Sequence, residues 1–172
     1  MKKMYGTLIA LLCITALPAA DLSARHGNAN KRTYISNQEV DALVKSGHLI
    51  PSGNVWKTRG GMILAGRGSG KKSRLDHIMR HTVDIPGRAR HGVFSLSKAA
   101  VIELLDESWG KVRAGSIPGR ERGGKIAYTI RFGKDIGYMG GKEGKNRGNP
   151  KLRSIRLVIK KGTAEVVTFF PL

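Results

Sequence analysis

Cysteine is nearly missing from this chain: of 172 residues only Cys13 is one, and it lies in the opening apolar run. Beyond residue 20 a disulfide framework, a thiolate nucleophile and a cysteine-based zinc site are therefore excluded. Acids are scarce too, with 12 Asp and Glu against 31 Lys and Arg, a formal net charge of +19. So few carboxylates leave little material for a site that holds a divalent metal through acidic ligands. Long apolar runs are also lacking, since Leu8–Ile14 is too short to span a bilayer.

What is present begins with the layout of a secretory signal peptide over residues 1–20. Lys2 and Lys3 precede the apolar run, and Leu17-Pro18-Ala19-Ala20 offers small residues for cleavage. Asp21-Leu22-Ser23-Ala24 then turns polar, which argues against an uncleaved anchor or a buried helix. Leu12 stands where a lipoprotein signal wants a small residue before its Cys, so lipidation is not expected. Removing residues 1–20 takes away two lysines and no acid, leaving 29 bases, 12 acids and a net +17 over 152 residues. That length suits one domain with a core plus a tail. The expected location is secreted or periplasmic. Self-repulsion of such a charge opposes compaction, and a polyanionic partner relieves it. Nucleic acid fits that partner best, with lipopolysaccharide or anionic lipid as the competitor; charge alone does not choose.

Residues 21–60 read as a flexible leader containing a short helix, and residues 61–172 as the main domain. In the leader, Ser36-Asn37 caps a helix over Gln38–Lys45 that Gly47 closes, and Ile50–Asn54 reads as a turn. Gly60-Gly61 and Gly66–Lys72 read as loops around Met62-Ile63-Leu64. A Ser-x-x-Asp capping signature, Ser73 to Asp76, opens a helix that runs through His81 and breaks at Asp84-Ile85-Pro86-Gly87. Ser97 caps a second helix over Lys98–Glu107, with Val101, Leu104 and Leu105 on one face and Gly110 as its stop. The pattern then turns to alternation over Lys125–Phe132, Lys151–Lys160 and Ala164–Phe170, three expected strands. Gly137–Gly148, rich in glycine and cations, is expected as a long loop. Helices first and strands last predict the α+β class, N-terminal helices packed on a C-terminal twisted antiparallel sheet.

Two motifs fail on spacing. Gly66–Ser73 resembles a phosphate loop, but three residues rather than four separate Gly66 from Gly70, and Lys72 stands where Ser or Thr belongs. His77 and His81 are spaced like two zinc ligands on a helix, yet no Glu follows His77. Neither a cofactor nor a metal is expected. Trp109, ending an amphipathic helix, is expected in the core, while Trp56 stands open between packing and stacking a base.

The informative feature is the pair of histidine-centred segments, Leu75-Asp76-His77-Ile78 and Arg90-His91-Gly92-Val93-Phe94. Three of the five histidines, His77, His81 and His91, fall within fifteen residues, among many arginines. Metal-free RNA cleavage needs one group to take the 2′-OH proton, another to protonate the leaving 5′-oxygen, and a donor or cation for the crowded phosphorane. Two imidazoles meet the first needs, and Lys, Arg, Thr or Tyr meets the last. Gly92, next to His91, is expected to let the backbone approach a phosphate.

Ser73-Arg74-Leu75-Asp76-His77-Ile78-Met79, then Arg90-His91-Gly92, then Val166-Val167-Thr168-Phe169-Phe170-Pro171, resemble in order and spacing the bacterial EndoU nucleases. More broadly they are similar to the superfamily joining barnase, EndoU, colicin D and RelE. The resemblance covers about residues 73–172. Ala89-Arg90 replaces the usual double-glycine lead-in, and Phe170 stands where members often carry Tyr. The resemblance implies His77 and His91 as the acid/base pair and Thr168 as the phosphate-side donor. Arg74, Arg80 and Arg90 are candidate substrate contacts, as are Tyr138 and Lys142, which lie in a segment outside the EndoU pattern. The resemblance implies a toxin-like endoribonuclease, cleaving RNA (tRNA among the options) to a 2′,3′-cyclic phosphate, with an acidic immunity protein as partner. A non-enzymatic secreted polyanion binder is the alternative.

Overall fold

Ser36 opens the first helix as its capping residues dictate. Its hydroxyl accepts from the Glu39 N–H at 3.3 Å while the Glu39 carboxylate accepts from the Ser36 N–H at 2.8 Å. The helix α1 (Asn37–Lys45) buries Val40 and Leu43. The computed structural model describes residues 33–67 and 73–172. The expected signal peptide, the leader up to residue 32 and the glycine-rich stretch 68–72 lie outside the described residues.

After α1 come β1 (Leu49–Ser52), β2 (Val55–Thr58) and β3 (Ile63–Ala65), then α2 (Arg74–Met79), which runs into a 3₁₀ turn at Arg80–Thr82. Next are β4 (His91–Phe94), α3 (Lys98–Arg113), β5 (Gly119–Arg122), β6 (Lys125–Arg131) and β7 (Gly137–Gly140). The chain ends with α4 (Gly141–Asn146), β8 (Lys151–Leu152), β9 (Ser154–Lys160) and β10 (Val166–Pro171). The fold is mixed α and β, with four helices and three antiparallel sheets among the described residues. The sheets run β1-β2-β3, β10-β9-β6-β5 and β4-β7-β8. Helices and strands thus interleave along the chain, where the sequence led us to expect helices first.

Several local expectations change. Residues 33–60, taken with the leader, contribute Ile35, Val40, Leu43, Leu49 and Trp56 to the same core as Ile130, Leu157 and Phe169. Trp56 is thereby a core residue, with the Arg67 guanidinium 5.5 Å from its ring centre, and Trp109 packs against the core half-buried. Pro51, expected in a turn, sits in β1, an edge strand that tolerates its missing N–H. Gly110 does not stop α3. A Glu107–Lys111 ion pair at 3.0 Å crosses it, and Val112 beyond it packs on the core, so tertiary burial overrides the glycine.

The expected loop Gly137–Gly148 is instead β7 followed by α4. Gly137 and Gly144 serve close approach, since a Cβ at Gly137 would strike the Val93 carbonyl and one at Gly144 the Met139 carbonyl, while Gly141 and Gly148 each supply a positive φ. This segment clamps the turn that follows Asp84. The Gly141 N–H donates to Asp84 Oδ1 at 2.9 Å, Lys142 N–H to the Arg88 carbonyl at 2.8 Å, and Glu143 N–H to that of Ala89 at 2.9 Å.

One irregularity aims the site. In β10, Val166 pairs with Ile159 but Thr168 pairs with the adjacent Val158, so a bulge falls at Val167. Strict alternation from the buried Val166 would turn Thr168 to the core. The bulge lets Val166 and Phe169 be buried together and leaves Thr168 and Phe170 on the other face.

Candidate active site

The α2 helix is positioned from its first turn. Ser73 Oγ accepts from the Asp76 N–H at 3.0 Å, and the buried Asp76 carboxylate accepts from the Tyr34 N–H at 2.7 Å, tying the helix to the segment before α1. Leu75, Ile78 and Met79 are fully buried. His77 is left on the face toward β10, where its Nε2 lies 3.1 Å from Thr168 Oγ1. Its Nδ1 lies 3.3 Å from Arg80 Nη2. A guanidinium only donates, so Nδ1 is the acceptor, and the Nε2–H donates to the threonine oxygen. The hydroxyl hydrogen of Thr168 is thereby free to point elsewhere.

Three imidazoles stand together. His81 and His91 stack with ring centres 4.7 Å apart, Phe170 stacks on His81 at 5.3 Å, and His77 meets His81 edge-on at 6.2 Å. His81 donates its Nδ1–H to the Gly92 carbonyl at 2.8 Å, which leaves Nε2 as the lone-pair nitrogen with no hydrogen-bond partner among the described residues. His91 donates its Nε2–H to the Val83 carbonyl at 3.1 Å and to that of Arg80 at 3.4 Å. Its Nδ1 is sealed and has no hydrogen-bond partner among the described residues, on a residue only 2% exposed.

The electrostatics follow from burial among cations. Desolvation first, then Arg80, Arg74 and Arg88, bring the His77 pKa down to about 4. Desolvation likewise takes His81 to about 3, against the Gly92 bond that favours its charged form. His91 is lowered for the same first reason. All three rings are neutral at pH 7.

These side chains line a cavity of about 340 Å³, together with Arg80, Arg88, Arg90, Thr168 and Phe170. Of the expected site residues, His77, His91, Thr168, Arg80 and Arg90 therefore meet in one place. Arg74 stands near enough to depress His77 but does not line the cavity. Tyr138, on β7 opposite Val93, and the exposed Lys142 of α4 do not line it either. Gly92 makes room for the β10 end, since a Cβ there would strike the Pro171 carbonyl; the close approach it permits is to protein, not to phosphate. Sequence reasoning counted His81 among the clustered histidines without giving it a role in cleavage, and it did not single out Arg88. The i, i+4 spacing of His77 and His81 was the available signal, and it was weighed only for metal. Among the described residues no three His, Cys, Asp or Glu side chains gather as metal ligands would.

No protein-family model, curated protein or solved structure matches this chain.

Proposed function

We propose that this chain is an exported, metal-independent endoribonuclease that cleaves RNA by attack of the 2′-OH, leaving a 2′,3′-cyclic phosphate. The observation that carries the reading is the His77–Thr168 hydrogen bond at 3.1 Å inside a cavity lined by three arginines and three neutral imidazoles. In this reading the Thr168 hydroxyl donates to a non-bridging phosphate oxygen, and Arg80, Arg88 and Arg90 offset the charge that grows on the phosphorane. His77 is one proton-transfer group, and the phosphate's own charge restores the basicity that the neighbouring arginines suppress.

The second group comes from the His81–His91 stack. The family resemblance nominates His91, whose Nε2 is committed to two carbonyls and whose Nδ1 is sealed. We assign contact with the substrate to His81, whose Nε2 carries a free lone pair, and positioning of that ring to His91. His81 takes the 2′-OH proton. His77, protonated at Nδ1 once the bound phosphate draws the Arg80 guanidinium to itself, turns its Nε2–H from Thr168 to the 5′-oxygen and releases that proton as the P–O5′ bond breaks. The architecture belonging to this reading is helices packed on the C-terminal antiparallel sheet, supported by α2 and α3 sharing one core with Ile130, Leu157 and Phe169. Export rests on the layout of residues 1–20. A toxin-like role with an acidic immunity protein, on RNA that includes tRNA, rests on the EndoU resemblance and the net charge.

The test is cleavage of end-labelled RNA by the purified protein in EDTA, beside His77→Ala. Cyclic-phosphate ends formed by the wild type and reduced about 10²- to 10⁴-fold in the variant support the reading. Binding without cleavage, equal in both proteins, replaces it with the non-enzymatic polyanion binder.

A further inference from the structure

The four-stranded sheet presents a second feature beside the cavity. Its core face carries Ile130, Ile155, Leu157, Ile159 and Phe169. On the opposite face the pairing sets out rows across the strands. Thr168 of β10 lies opposite Val158 of β9, which lies opposite Ala127 of β6, which lies opposite Arg120 of β5. In the next row Phe170 lies opposite Arg156, and Arg156 opposite Thr129. The face that holds Thr168 and Phe170 is therefore continuous with one that holds Arg156 and Arg120. Directly opposed residues sit within about 5.5 Å at Cβ, so Phe170 and Arg156 are immediate neighbours.

Pro118, Arg120, Ala127, Thr129 and Arg156 line a cavity of about 400 Å³ there. The floor is of small side chains and the walls are guanidinium groups. Arg122 and Lys125 extend the face along one flank and Arg131 along the other. Among the described residues, Arg120, Arg122, Lys125, Arg131 and Arg156 have no carboxylate partner, whereas Lys160 and Lys161 beside them are paired with Glu165 and Glu121. Five uncompensated cations on one sheet face repel one another until an anion joins them.

We propose that a single-stranded RNA backbone runs across this face, from the His77–Thr168 cavity at β10 to Arg120 at β5. The inference deepens, and rests on, the reading of that cavity as the cleavage site. Three strand spacings put the track at about 14 Å, long enough to carry phosphates on one side of the scissile bond. A trough with basic walls fits one backbone. A lipid surface is the poorer match, because interfacial binding wants apolar side chains to bury beside the cations. Among the described residues the large exposed apolar ones are Ile50, on β1, and Leu172, at the first cavity. Beyond Phe170 the face offers no aromatic platform, so grip is by charge and independent of base sequence.

The experiment compares the wild type with Arg120→Ala/Arg156→Ala and with Lys45→Ala/Arg113→Ala, which removes equal charge from exposed positions on α1 and α3. Binding of an uncleavable 2′-O-methyl RNA oligomer of about twelve nucleotides is followed by fluorescence anisotropy over a range of salt. The track predicts at least a tenfold loss of affinity in the first variant alone, with a salt slope shallower by about 1.4 for two lost phosphate contacts. Cleavage of a dinucleotide, which the His77 cavity holds by itself, stays within about twofold, while kcat/KM on a long strand falls at least tenfold through KM. Equal behaviour of the two double variants overturns the track, as does no oligomer binding by the wild type. A larger loss on vesicles of anionic lipid than on the oligomer overturns the RNA assignment. Because the oligomer cannot be cut, oligomer binding that depends on Arg120 and Arg156, without any RNA cleavage, refutes the nuclease reading and leaves the track standing.

Discussion

Thr168 accepts the Nε2–H of His77 at 3.1 Å across 91 residues of sequence. Two features make that meeting possible. The capped α2 helix fixes the ring, and the bulge at Val167 turns the hydroxyl away from the core toward it. With its oxygen accepting from His77, the threonine keeps its own hydrogen for a substrate oxygen.

A single hydrogen-bond donor aimed at developing phosphorane charge is worth about 10²- to 10³-fold in kcat. Thr168→Val keeps the shape and removes the hydroxyl, so kcat falls by that factor with little change in KM. Thr168→Ser restores the hydroxyl and stays within about fivefold of wild type. Equal activity of the Val and Ser variants in a steady-state assay rejects the donor role.

The two stacked histidines are separated by swapping rings. His91→Phe keeps the face on which His81 stacks and gives up only the bonds to the Val83 and Arg80 carbonyls. It retains activity within about tenfold, melts at a lower temperature, and leaves the pH profile unmoved. His81→Phe stacks equally well but carries no lone pair, and loses about 10²-fold or more in kcat. The reverse ranking makes His91 the proton acceptor and His81 its support.

Acid acts on this protein in two opposed ways. The His77 pKa of about 4 means that its protonated, proton-donating form in the free protein thins out tenfold per pH unit above that value. A plot of log kcat/KM should fall with a slope of about −1 between pH 5 and 8. Stability runs the other way. The unfolded chain binds protons on these histidines near pH 6.5 while the native rings, with pKa values of about 4 and 3 for His77 and His81, do not. Their contribution is therefore complete above pH 6.5 and is lost as pH falls through the native values. The melting temperature drops by at least about 5 °C from pH 7 to pH 5, as calorimetry would register. A flat melting profile over that window contradicts the burial of neutral imidazoles.

Much of the local structure was legible beforehand. The caps at Ser36, Ser73 and Ser97 announced three helices, because a hydroxyl before a helix meets N–H groups the helix cannot satisfy itself. Alternation marked β6, β9 and β10, since one face of each had to be buried. His77, His91 and Thr168 were legible as a set only through the resemblance to EndoU nucleases, and the structure brings the three to one cavity. Gly137–Gly148 was misread because glycine signals both freedom and close packing, and only neighbours such as the Val93 and Met139 carbonyls distinguish them.

By itself the sequence determined the charge, the helix starts, the strand periods and the residue types at hand, all of which depend on a residue and its near neighbours. Tertiary structure decided which imidazole has a free nitrogen, and that Arg120 and Arg156 share a face with Thr168. The reason is physical. A bulge displaces alternation by one residue, a stack seals one ring while leaving another open, and strand pairing joins residues dozens of positions apart. None of these leaves a periodic trace in the chain.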